Sequence, residues 1–87
     1  MANAFKKGSR ISPQESAEWL QKRMRELGIV SLGELEIRTG IDRGSLSRYF
    51  LQERTPGIDV IAPLCEVLEV SPESLLVALG ALSRRGK

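Results

Sequence analysis

Eighty-seven residues, 41% of them apolar, hold one small domain that must be regular and economical with loops. One cysteine and no histidine exclude an intrachain disulfide and a Cys/His metal centre, and no run of about 18 apolar residues offers a membrane span. The net charge is only +2, but Lys6, Lys7 and Arg10 make the start basic, Arg38, Arg43, Arg48 and Arg54 outweigh Asp42 and Glu53 in the middle, and Asp59, Glu66, Glu69 and Glu73 have no basic neighbour between 57 and 79.

Residues 1–10 read as a flexible basic arm without the apolar core of a secretory signal. A first helix opens at Ser12-Pro13-Gln14-Glu15. Ser12 can cap it, Pro13 suits the first helical position, and Glu15 can reach back to the cap amide. Ala17, Leu20, Met24 and Leu27 form its expected core face with Trp19 at the margin, and Gly28 ends it. Ser31 caps a second helix, Leu32 to Arg38, whose Leu32, Leu35 and Thr39 share one side. Gly40 follows where a left-handed backbone is cheapest, and Ile41 plugs the turn into the core.

Asp42 caps a third helix, Arg43 to about Leu51, with Leu46, Tyr49 and Phe50 facing inward. After a loop over 52–57, Ile58 to Leu68 form a fourth helix with Ile58, Ile61, Leu64, Cys65 and Leu68 as its apolar residues. Pro63 within it must either bend the first turn or move the true start closer to Asp59. Ser71-Pro72-Glu73-Ser74 opens a fifth helix through about Leu79, closed by Gly80. Leu79 and Leu82 exceed what the monomer needs and are expected at a dimer seam. The sum is an all-α, five-helix domain over residues 11–80, with a basic tail at 81–87.

The stretch from Ser31 to Leu51 has the layout of a helix-turn-helix, in which one helix braces a second for the DNA major groove. The inner face of the second helix locks it to the scaffold. On the outer face, Arg43 can bond guanine O6 and N7 together, a pairing worth ~1–3 kcal/mol of discrimination. Gly44 lets DNA come close or leaves space for a thymine methyl. Ser45 and Ser47 can bond a phosphate or a base, and Arg48 a base or the flanking backbone. Amides at the helix N-termini near Ser31 and Asp42 can meet phosphates, while the Asp42 carboxylate itself serves as a cap. Lys6, Lys7 and Arg10 could place an arm on phosphates or in the minor groove.

With these residues in order, the chain resembles the lambda-repressor-like helix-turn-helix domains of the Cro/C1 (XRE) type over about residues 16–76. The resemblance rests on Leu35, on Thr39-Gly40-Ile41 followed by Arg43 to Tyr49, on Arg54-Thr55-Pro56, and on Leu64 to Val70 followed by Ser71. It implies a compact five-helix fold, a recognition helix at Asp42–Phe50, and a homodimer on a palindromic double-stranded DNA operator. By position it implies base contacts from Arg43, Gly44 and Arg48, and backbone contacts from Ser45, Ser47, Arg54 and Thr55. Three positions depart from the family's pattern. Glu36 stands where alanine is usual and must reach solvent or pair with Arg43 or Arg48. Leu32 replaces a phosphate-holding glutamine, and Gln52 replaces a loop glycine.

Catalysis finds little support in the sequence. There is no histidine base, no phosphate loop of the Walker type, and no serine with an activating partner, so no enzyme, cofactor or metal is expected. The expected function is a small cytoplasmic, nucleoid-associated transcriptional regulator, a repressor, that reads duplex DNA. The alternative is a protein-interaction module such as an antitoxin or assembly adaptor, suggested by the acidic, leucine-rich C-terminal half. RNA binding is a weaker third reading.

Overall fold

A computed structural model describes residues 10–83. The charged segments at 1–9 and 84–87, including the arm residues Lys6 and Lys7, lie outside the described residues. Within them the chain forms α1 (Pro13–Leu27), α2 (Leu32–Thr39), α3 (Arg43–Phe50), a short 3-10 turn at Ile58–Val60, α4 (Ile61–Leu68) and α5 (Pro72–Ala78). No strand occurs among the described residues.

The helix starts follow local chain chemistry. At α1 the Ser12 hydroxyl accepts the Glu15 amide at 3.1 Å, and the Glu15 carboxylate accepts the Ser12 amide at 2.8 Å, a reciprocal capping box with Pro13 in the first turn. Ser31, Asp42 and Ser71 each accept the amide three residues on, at 3.1, 3.0 and 3.1 Å. Gly28 and Gly40 end α1 and α2 at φ 75° and 77°, a backbone state that costs a residue with a β-carbon about 1–2 kcal/mol.

The core lies between the helices, with α2 packed on α3 and α4, and α1 packed on α3, α4 and α5. Leu35, Leu46, Leu64, Leu68 and Leu75 are sealed from solvent, with Leu20, Met24, Ile29, Ile41, Tyr49, Phe50 and Leu79 around them. Trp19 and Phe50 stack across α1 and α3 with centroids 6.1 Å apart and planes 8° from parallel, so Trp19 is a packing residue.

Four details differ from the sequence expectations. Ala17 and Leu27 are only half-buried, and Ser16 takes the sealed position on α1. Leu79 is buried in the monomer, so only Leu82, at 40% exposure, remains of the expected seam. Ile58 is not part of a helical core face: it stands 89% exposed in the 3-10 turn. The reason is Pro63. The helix begins at Ile61, so Pro63 falls in the first turn, where a missing N–H removes no intrahelical bond.

Ser16, sealed in this core, belongs to a polar network that runs out to the half-buried Gln52. Its hydroxyl donates to the Ala78 carbonyl at 2.6 Å and accepts from Gln52 Nε2 at 2.8 Å, while the same Nε2 donates to the Ile11 carbonyl at 3.1 Å. Gln52 itself has φ 59°, so the loop keeps the left-handed state that a glycine would favour, and its side chain compensates by tying α1, α3 and α5 together.

Candidate nucleic-acid interface

α2 and α3 form one rigid corner. Thr39 donates its hydroxyl to the Leu35 carbonyl at 2.8 Å and accepts the Ile41 amide at 3.1 Å, which fixes the turn around Gly40. Leu46, Tyr49 and Phe50 then bury the inner side of α3. At 100° per residue, Gly44 and Arg48 lie opposite these three, with Arg43 and Ser47 on the flank toward α2 and Ser45 on the other flank.

Arg43, at the first position of α3, donates Nε–H to Glu36 Oε1 at 2.9 Å. Of the alternatives open to Glu36, the structure takes this pair. Both groups stay wet, with side-chain exposures of 67% for Arg43 and 36% for Glu36, so the pair adds little to stability. The guanidinium also lies over Gly33. A β-carbon on Gly33 would stand 3.5 Å from Nη1 and 3.6 Å from Cζ. Sequence reasoning missed this seat, because nothing local distinguishes Gly33 from a glycine merely tolerated in a helix.

Gly44 gives room to the cap of α3. A β-carbon there would come to 3.1 Å from Asp42 Oδ2, the atom that caps α3, and 3.9 Å from Arg48 Nη1. The bare backbone therefore leaves room for the cap and for the Arg48 guanidinium. Among the described residues Arg48 has no acidic partner within ion-pair distance.

Ser31 and Ser47 border the same open groove of about 450 Å³, between α1, the α1–α2 connection and α3. The first amides of α2 lack intrahelical acceptors there by helix geometry. Leu32, at the glutamine position, packs against the core and lines this groove instead of offering a donor. Glu34 stands at the same helix end. The Val30 amide, first, and the Arg38 guanidinium, second, hold its carboxyl below its ordinary value of 4.5; desolvation opposes them more weakly, and the Arg38 charge adds least. Arg38 is thus committed to Glu34, at 2.6 Å.

Arg54 and Thr55 are exposed in the loop after Gln52, and Arg10 is exposed at the start of the described chain. The structure therefore brings Arg43, Gly44, Ser47 and Arg48 onto one surface with Ser31 at its edge, while Ser45 lies on the far flank of α3. Cys65 is half-buried on α4, away from this surface, and burial, with the Glu66 charge second, pushes its thiol above the ordinary value. No group of three or more His, Cys, Asp or Glu residues is placed to hold a metal ion among the described residues, and no helix there is long and apolar enough to cross a membrane.

Five helices with an exposed, arginine-bearing α3 braced by α2 define a helix-turn-helix DNA-binding domain. Residues 19–79 match the family model of the Cro/C1-type HTH DNA-binding domain, and the chain belongs to that family. No curated protein and no solved structure gives a match.

Proposed function

We propose that the domain reads duplex DNA in a sequence-specific way, with α3 in the major groove, as a small transcriptional repressor without catalytic activity. Family membership supports DNA binding as such. The reading of bases by α3 rests on one observation: Leu46, Tyr49 and Phe50 fasten one side of the helix while Gly44 and Arg48 lie opposite, flanked by Arg43 and Ser47. In this reading Arg43 and Arg48 contact bases across Gly44. Ser31, Ser45, Ser47, Arg54 and Thr55 hold the backbone, Ser31 and Ser47 from the shared groove. Lys6, Lys7 and Arg10 add arm contacts. The chain acts as a homodimer on a palindromic operator, in the cytoplasm at the nucleoid.

Selection from random duplexes, repeated with the Arg43→Ala/Arg48→Ala variant, tests this. A palindromic motif that disappears in the variant is the expected result; an undiminished motif refutes the base-contact roles. A second reading, a protein-interaction module, is favoured by the exposure of Val30, Ile37 and Ile58, at 85%, 83% and 89%. Salt separates the two. A dimer on ~6–10 phosphates loses ~10³–10⁵ in affinity between ~50 and ~200 mM salt, whereas an apolar interface hardly responds.

A further inference from the structure

Phosphate binding alone gives no reason for Glu36. It is a carboxylate on the surface that would face a polyanion, where a neutral or basic side chain would raise affinity for any duplex. Its geometry shows what it does instead. Glu36 Oε1 holds Arg43 by the Nε–H at 2.9 Å. Gly33, one turn earlier on the same helix, lies under the other end of the guanidinium. Arg43 is gripped at its inner edge and floored by bare backbone.

A guanidinium carries five N–H donors in a fixed planar fork. Glu36 takes the inner one. The terminal Nη1/Nη2 edge makes no hydrogen bond or ion pair within the described residues, and the side chain remains 67% exposed. Guanine presents O6 and N7 side by side, the acceptor pair that two parallel donors match. A phosphate could use the same donors at any sequence, but to reach them it must approach the Glu36 charge.

We infer that Glu36 is a positioning residue that sets the selectivity of this interface: it holds Arg43 by Nε, presents the Nη1/Nη2 edge to a guanine, and discourages the same arginine from settling on phosphate. This rests on the reading of α3 as the DNA-contacting helix. Glu36 lowers affinity for DNA in general and raises discrimination among sequences. The specificity of this chain thus depends on a residue of α2 that itself touches no base.

The test uses the full chain as wild type, Glu36→Ala, Glu36→Gln, Arg43→Ala and the Glu36→Ala/Arg43→Ala double variant. Each is taken through random-duplex selection and titrated with the selected duplex and a scrambled one at fixed salt. Glu36→Ala should bind the scrambled duplex several-fold more tightly. It should also lose guanine enrichment at the base pair that Arg43→Ala erases, cutting the selected-to-scrambled ratio about tenfold or more. Glu36→Gln keeps an acceptor for Nε–H, so it should retain most of that enrichment while still gaining general affinity. The double variant should be no less selective than Arg43→Ala alone, because the two residues act as one unit.

In the free protein, the Arg43 Nε–H signal should be protected from exchange in wild type and exposed in Glu36→Ala. An unchanged motif in Glu36→Ala overturns the inference and leaves DNA reading by α3 intact. A wild type that enriches no sequence removes both.

Discussion

Gln52 is where the fold accepts backbone strain in exchange for side-chain contacts, and the two can be separated. Its φ of 59° costs a residue with a β-carbon about 1 kcal/mol or more. Its amide returns two hydrogen bonds, to Ile11 O at 3.1 Å and Ser16 Oγ at 2.8 Å, each worth ~1 kcal/mol net. Gln52→Ala keeps the strain and loses both bonds, so it should destabilise by ~2 kcal/mol. In a domain of this size that lowers Tm by roughly 8–16 °C. Gln52→Gly loses the same bonds but relieves the strain, so it should recover ~1 kcal/mol of that loss. Urea unfolding of the three proteins, followed by circular dichroism, measures the order wild type, Gly, Ala. If Ala matches wild type within ~0.5 kcal/mol, the bonds are not worth what is assigned to them; if Gly is no better than Ala, the backbone is not strained.

The remaining predictions concern helix ends. Arg23 donates Nε–H to the Leu68 carbonyl at 2.8 Å and Nη2–H to the Glu69 carbonyl at 3.2 Å, closing α4 from α1. Arg23→Ala should cost ~1–2 kcal/mol in urea unfolding, and Arg23→Lys, which lacks the fork, should restore only part of it. At the start of α2, Glu34 is held below 4.5 by the Val30 amide and Arg38, so its contribution is present above that value and lost as pH falls through the lower, folded one. The stability difference between wild type and Glu34→Gln should therefore narrow on acidification below pH 4.5; a difference that stays constant with pH would contradict this role.

What was legible in the sequence is what the chain writes within a few residues. Ser12 with Glu15, Ser31, Asp42 and Ser71 mark helix starts because each cap reaches only three residues ahead, and Gly28 and Gly40 mark ends because a single φ decides them. The inward face of α3 follows from spacing alone. Partners far along the chain left no such trace. Ser16 looks like an ordinary polar residue in an amphipathic helix, since its partners are 36 and 62 residues away. Leu79 reads as surplus until α5 is seen packed against α1 and α4. Glu36 lies between: its need for a partner was legible, but the choice of Arg43 required the packing of α2 on α3.

That packing also decides how the interface can work. Of the four arginines between residues 38 and 54, two have an acidic partner: Arg38 pairs with Glu34, and Arg43 gives Glu36 its Nε–H only. Arg48 and Arg54 have no acidic partner among the described residues. One copy of this corner offers few uncompensated cations, so the ~6–10 phosphate contacts of a bound dimer must draw on both copies and on basic residues outside the corner. Affinity for a whole site must then come from good base contacts, from a second copy, or from the basic residues outside this corner. A helix fixed by Leu46, Tyr49 and Phe50, and by a tryptophan stacked on that phenylalanine, suits the first of these. Base contacts tolerate little misplacement, and a rigid α3 with a tethered Arg43 reduces the freedom lost on binding. The carboxylates that weaken the corner as a polyanion trap are therefore compatible with it as a reader.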